Sequence, residues 1–144
     1  MMARVLAVCV SERKGEKKQA VEEIRLEAGH GIVGDAHAGP GHRQVSLLAN
    51  ESVDALRARG LAPRAGDFAE NILTEGAALR ALPVGTRLRV GSALLEVTQI
   101  GKECHSDCEI KKQVGVCVMP AEGVFAVVRE AGRVKAGDGI EVIA

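Results

Sequence analysis

Short apolar, β-branched runs punctuated by glycine recur along this chain, and that rhythm leaves little room for long helices. Residues 3–10 read as a first, well-buried strand, with Cys9 as a small core residue. Val21, Ile24 and Leu26 lead into a second extended segment, and Gln44-Val45-Ser46-Leu47-Leu48 forms another. The glycine-rich run 29–41 lies between them and cannot sustain a helix. Asn50 is a suitable N-cap, Val53 and Leu56 recur at helical spacing, and Gly60 supplies a stop, so one short helix is expected there. Residues 68–73 read as a strand, and 86–90 and 93–98 as a hairpin around Gly91-Ser92. A helical turn is expected over 110–114, and strands over 124–128, 133–135 and 139–143. Many short strands with few helices predict a mainly β, single-domain barrel or sandwich over residues 1–144.

Composition narrows the partners. The 19 basic and 19 acidic residues cancel, which argues against nucleic acid, whose binders gain affinity from excess cations facing phosphates. Phe68 and Phe125 are the sole aromatics, with no Tyr or Trp, so stacking platforms and aromatic cages are excluded as the main grip. No run approaches the roughly 18 apolar residues that span a bilayer, and the apolar start lacks a basic region and a cleavage site. The chain reads as cytoplasmic, with reduced cysteines.

Several motifs could carry chemistry. Gly29-His30-Gly31-Ile32-Val33-Gly34 matches the spacing of a dinucleotide-binding turn, but Gly39-Pro40-Gly41 stands where the required helix would run. The next candidate gathers Asp35, His37, His42 and Arg43 on one loop. Asp35, His37 and His42 could supply three metal ligands. Alternatively Arg43 could bind an anion with the histidines beside it, or all four could be hydrogen-bonded loop residues. The basic run Arg13-Lys14-Gly15-Glu16-Lys17-Lys18, with Lys14 near its centre, could guide a phosphorylated ligand or be a solvated loop.

Cys104, His105 and Cys108 follow the 93–98 strand, with Lys102, Lys111 and Cys117 nearby. They could bind zinc, fill space, or include a nucleophilic thiolate. The third reading turns on pKa: a thiol near 8.5 is about 3% ionised at pH 7, and one near 6.5 is about three-quarters ionised. If a helical turn begins at Asp107, Cys108 sits in its first turn, where the dipole favours the thiolate. Cys104, four residues away, could resolve an oxidised or persulfidated Cys108.

Taken together, Ser11-Glu12-Arg13-Lys14-Gly15, the 29–39 run, His42-Arg43-Gln44-Val45-Ser46-Leu47-Leu48, Phe68-Ala69-Glu70-Asn71-Ile72, Leu82-Pro83-Val84-Gly85 and the region from Cys104 to Met119-Pro120 resemble the MOSC domain. This is the C-terminal domain type of molybdenum cofactor sulfurases, which also occurs as small stand-alone bacterial proteins. The resemblance implies a mostly β barrel of mixed strands with a few short helices. It also implies a chain that carries sulfur as a cysteine persulfide or binds the molybdenum cofactor (molybdopterin). By motif position it assigns Cys108 as persulfide carrier or molybdenum ligand, with Cys104 and His105 beside it. Lys14, Asp35, His37, His42, Arg43 and Lys102 would surround the pterin cofactor, and Glu70 and Asn71 would be pterin-phosphate or structural contacts. The pyridoxal-phosphate domain of the fused sulfurases has no counterpart here, so sulfur would come from a separate desulfurase or pass to a molybdoenzyme acceptor. A non-catalytic cofactor carrier, and a small molybdoenzyme reducing N-hydroxylated compounds, are the alternatives the resemblance leaves open.

Overall fold

The structure is a computed structural model that describes residues 3–14, 16–101 and 122–143. Its strands, in chain order, are β1 (Ala3–Val10), β2 (Gln19–Val21), β3 (Glu23–Glu27), β4 (Gly31–Ile32) and β5 (Val45–Ala49). A helix, α1 (Asn50–Arg57), precedes β6 (Ile72–Glu75), β7 (Arg87–Val90) and β8 (Ala93–Ile100). After the cysteine segment come β9 (Val124–Glu130), β10 (Gly132–Lys135) and β11 (Gly139–Ile143).

Seven of these strands form a closed ring in the order β11-β7-β8-β9-β5-β6-β1, because β1 pairs back onto β11 through Ala3 with Ile140 and Arg4 with Gly139. An odd-numbered ring cannot close with every neighbour antiparallel, and the odd pair here is β5 with β6, which run parallel in register Leu47 to Ile72. Parallel neighbours need a long crossover rather than a tight turn. Residues 50–71, including α1, provide it. Strand β2 takes the rest of the β1 edge at Val8, Cys9 and Val10. Strands β10, β3 and β4 make a separate three-stranded antiparallel sheet.

Side-chain alternation divides the apolar residues between two cores. Val45, Leu47 and Ala49 of β5 point into the barrel with Val5, Val8, Leu88, Leu95 and Val124. Leu48 points outward and meets Val53 and Leu56 of α1, together with Phe68, Leu73 and Phe125. Both phenylalanines therefore lie outside the ring, under the crossover. All five β5 residues are buried because both faces of the strand are covered.

The mainly β, mixed-strand barrel and the 86–90/93–98 hairpin stand as expected. Two local details differ. Asn50 is the first helical residue rather than the cap: Ala49 occupies that place in extended conformation with no side-chain cap bond, since the buried end of β5 runs straight into the helix. The Asn50 Oδ1 instead accepts from Arg57 at 2.8 Å. The expected 68–73 strand begins only at Ile72, because the Glu70 carboxylate accepts from the backbone N–H groups of Gly66 (2.9 Å) and Phe68 (3.1 Å) and folds that stretch into a turn. Ala69 there has a φ of 63°, a left-handed conformation uncommon for a residue with a Cβ. The expected turn over 110–114 lies outside the described residues.

Candidate functional site

Beside the barrel, the loop after β1 and the loop between β4 and β5 are joined by a buried charge cluster. The Lys18 side chain is fully enclosed, as is that of Asp35, and their Nζ and Oδ1 atoms lie 2.8 Å apart. Lys18 Nζ also donates to Ser11 Oγ (3.0 Å) and sits 3.0 Å from His37 Nδ1. Asp35 Oδ1 further accepts from the Ser11 backbone N–H (3.1 Å), and Oδ2 accepts from that of His37 (3.0 Å). Burial alone would raise the Asp35 carboxyl. The hydrogen bond and charge of Lys18, with the hydrogen bond from the His37 backbone N–H, outweigh it and hold the group well below the usual carboxylate range.

Sequence reasoning missed Lys18. Its neighbour Lys17, in the same basic run, is half-exposed and only 3.9 Å from Asp67. Nothing in spacing separates the two lysines; packing does. The Lys18 backbone N–H donates to the Gly66 carbonyl at 2.8 Å. Gly66 has a φ of +88°, and a Cβ built on it would meet the Lys18 carbonyl oxygen at 2.1 Å. Gly66→Ala therefore combines left-handed strain with a backbone clash, and we expect it to destabilise the fold by about 2–4 kcal/mol. A urea-midpoint shift equivalent to less than about 0.5 kcal/mol would show that this contact does not hold Lys18 in place.

His37 opens outward from this cluster onto a cavity of about 480 Å³. Lys14, His42, Arg43 and residues 38–41 complete its lining, and no carboxylate lines it among the described residues. Arg43 Nε donates to Gln99 Oε1 at 3.0 Å, which fixes the amide orientation, since a guanidinium has no acceptor. The same oxygen lies 2.8 Å from His42 Nε2, so that ring nitrogen carries a proton. Thr98 Oγ1 donates to the His42 carbonyl, and the Arg43 guanidinium lies 5.4 Å above the Phe125 ring. Gln99 Nε2 reaches on to the Gly101 carbonyl (2.8 Å), and the Gly101 N–H donates to the Gly123 carbonyl (2.7 Å). Both ends of the cysteine segment are thus tied beside Arg43.

Lys14, His37, His42 and Arg43 are brought together as one cavity wall. Asp35 stands behind that wall with both oxygens committed. Among the described residues, no three His, Cys, Asp or Glu side chains are grouped to hold a metal ion. Glu70 and Asn71 are buried and do not line the cavity. Burial lifts the Glu70 carboxyl above its ordinary value despite its backbone hydrogen bonds. Asn71 Oδ1 accepts from the Ser46 N–H (3.0 Å), and Nδ2 donates to the Cys9 carbonyl (3.0 Å), stitching β5 to β1. Cys9 is enclosed, and burial followed by the Glu70 charge pushes its thiol up to about 12, which makes it inert. Lys102, Cys104, His105, Cys108 and Cys117 lie outside the described residues.

These features define a small mixed barrel carrying a cation- and donor-lined loop cavity. The chain belongs to the MOSC domain family, whose pattern matches residues 34–141. That family is associated with molybdenum cofactor binding and sulfurase-like function. No curated protein matches the chain. Among solved structures, the YUAD protein from Bacillus subtilis superposes with a TM-score of 0.80 at 20% identity, covering 99% of this chain and 96% of that one. YiiM from Geobacillus stearothermophilus gives 0.77 at 19%, covering 99% and 75%. YiiM from Escherichia coli gives 0.72 at 21%, covering 100% and 70%. At these identities the likeness is one of fold. Among the described residues, no helix is long and apolar enough to cross a membrane.

Proposed function

We propose that residues 1–144 act in the cytoplasm as one MOSC domain that holds the molybdenum cofactor in the loop cavity, with Cys108 as persulfide carrier or molybdenum ligand. The observation that carries this reading is the cavity lining: Lys14, His37, His42 and Arg43, with no carboxylate among the described residues, beside the paired Gly101 and Gly123 that flank the cysteine segment. A pterin cofactor ends in a phosphate, and a cavity of about 480 Å³ is within the usual range for small-molecule sites. Lys14 and Arg43 would neutralise that phosphate while backbone groups of the glycine-rich loop approach the ring system, as befits a chain almost without aromatics. When bound, the cofactor supplies a molybdenum centre able to change oxidation state. Cys104 and His105 would support Cys108, and Lys102 would add positive charge for the cofactor.

As a carrier, the Cys108 thiolate attacks the outer sulfur of a donor persulfide. The donor S–S bond breaks, its thiolate leaves, and the new S–S bond stands on Cys108, with no net oxidation. The donor class is a desulfurase bearing such a persulfide; the acceptor class is a molybdoenzyme. Intact-mass measurement after exposure to a persulfide donor is expected to show one reducible extra sulfur on the wild type and none on Cys108→Ser. Equal gain by both would remove Cys108 from the carrier role. Molybdenum and pterin assays of the purified protein test the cofactor itself. One zinc per chain, lost on Cys104→Ser, would replace this reading with a structural zinc site.

A further inference from the structure

We infer that Lys18 is a positioning residue that locks His37 as a hydrogen-bond donor, so that the loop cavity selects a phosphate-type oxyanion over a metal ion. The inference refines the phosphate end of the site just proposed, and it rests on that reading only for the identity of the ligand.

The argument is a proton count. A lysine ammonium has three N–H donors and no acceptor. Lys18 meets three polar atoms: Asp35 Oδ1 at 2.8 Å, Ser11 Oγ at 3.0 Å and His37 Nδ1 at 3.0 Å. Each of the first two can accept, and Ser11 Oγ sends its own proton to the Arg13 carbonyl at 3.0 Å. The third proton therefore faces His37 Nδ1, which has to offer its lone pair. The competing arrangement, with Nδ1–H donating to Asp35 Oδ2, meets a separation of 3.7 Å, too long for a hydrogen bond. That oxygen is already occupied by the His37 backbone N–H at 3.0 Å. A neutral imidazole with Nδ1 accepting carries its proton on Nε2.

His37 thus turns one nitrogen to the buried cluster, while its side chain, 29% exposed, lines the cavity. Among the described residues, no group is bonded to Nε2. A metal ion takes an imidazole lone pair. Here the Nδ1 lone pair goes to Lys18 and Nε2 is protonated, so His37 offers a donor. With the Lys14 and Arg43 cations on the same wall, the cavity presents donors and positive charge, the complement of a phosphate monoester or free phosphate. Lys18 itself touches no ligand. Its full enclosure, with Asp35 as counter-ion, gives it one orientation and makes the lock permanent.

Long-range 1H–15N spectra of the intact chain read the tautomer directly, with the His37 signals assigned by their loss in His37→Gln. The expected result is an Nε2–H tautomer whose Nε2 resonance moves as inorganic phosphate is added and stays in place with Zn2+. Lys18→Met alone strands the buried Asp35 charge, so the paired variant Lys18→Met/Asp35→Asn is the working comparison. It removes one charge of each sign, and its net effect on the cavity's field is small. In that variant His37 is expected to show mixed tautomers and phosphate to bind about tenfold more weakly, with the His42 signals unchanged. An Nδ1–H tautomer in the wild type, Zn2+ capture at His37, or unchanged phosphate affinity in the folded paired variant would overturn the inference. Its fate separates from that of the cofactor: an Nε2–H tautomer with a phosphate response, in a chain that takes up neither molybdenum nor pterin when the cofactor is offered, removes the cofactor reading alone. A wrong tautomer in molybdenum-bearing protein removes only the role of Lys18.

Discussion

Asp35→Ala is expected to destabilise the folded chain by about 3–5 kcal/mol, the range for removing one partner of a buried ion pair. The substitution leaves the fully enclosed Lys18 ammonium without its counter-ion. It also takes the acceptor from the backbone N–H groups of Ser11 and His37, and each buried donor left unpaired adds to the cost. Denaturant midpoints of wild type and variant, measured against pH, test the cause as well as the size. The Asp35 carboxyl is depressed in the folded state, so its contribution is fully present above the unfolded value of about 3.9. The contribution falls away as pH drops below that value toward the lower folded one. The gap between the two proteins should stay wide from pH 7 to about 4 and narrow below it. A gap that is constant down to pH 2 would mean that Asp35 acts through packing alone.

Phe68→Ala is expected to cost a similar amount, about 3–5 kcal/mol, for an unrelated reason. Phe68 is 1% exposed and fills the second core between α1 and the outer face of the barrel. The space it leaves is bounded by strand residues Leu48 and Leu73, whose backbones are fixed by the β5–β6 ladder and collapse little. Most of the loss should therefore appear as a cavity cost. Thermal or urea unfolding would read it, and a loss below about 1 kcal/mol would show that α1 relaxes into the gap. The barrel-side residues are a separate cluster, so the far-ultraviolet strand signature of the folded protein should survive.

The elements legible in the sequence are those whose identity is written in side-chain type. Val45, Leu47 and Ala49 alternate with Ser46 and Leu48, and Gly91-Ser92 separates two apolar runs. The failures occur where a single side chain decides the backbone. Glu70 turns the 68–71 stretch away from extended structure by taking two backbone protons, and composition carries no trace of that bond. Asn50 has cap chemistry, yet the buried end of β5 displaces the cap to Ala49. At the site, His37, His42 and Arg43 could be nominated because polar residues in and beside a glycine-rich loop do not serve the core, and Lys14 because it sits in a basic run. Lys18 could not, because lysines in a basic run look alike until one of them is enclosed. Burial reverses their meaning: Lys17 is a surface charge, and Lys18 orients a ring.

The pairing of Ala3 and Arg4 with Ile140 and Gly139 has a consequence for the order of events during synthesis. Of the described strands, β1 is made before the others and waits for β11 before the ring can shut. Until β11 is made, that stretch of the β1 edge has no ring partner, and open edges invite pairing with other chains. By contrast, Ser11, Lys18, Asp35 and His37 all lie within the first quarter or so of the sequence. Once Gly66 has followed to hold Lys18, the charge cluster can therefore assemble while the barrel is still open.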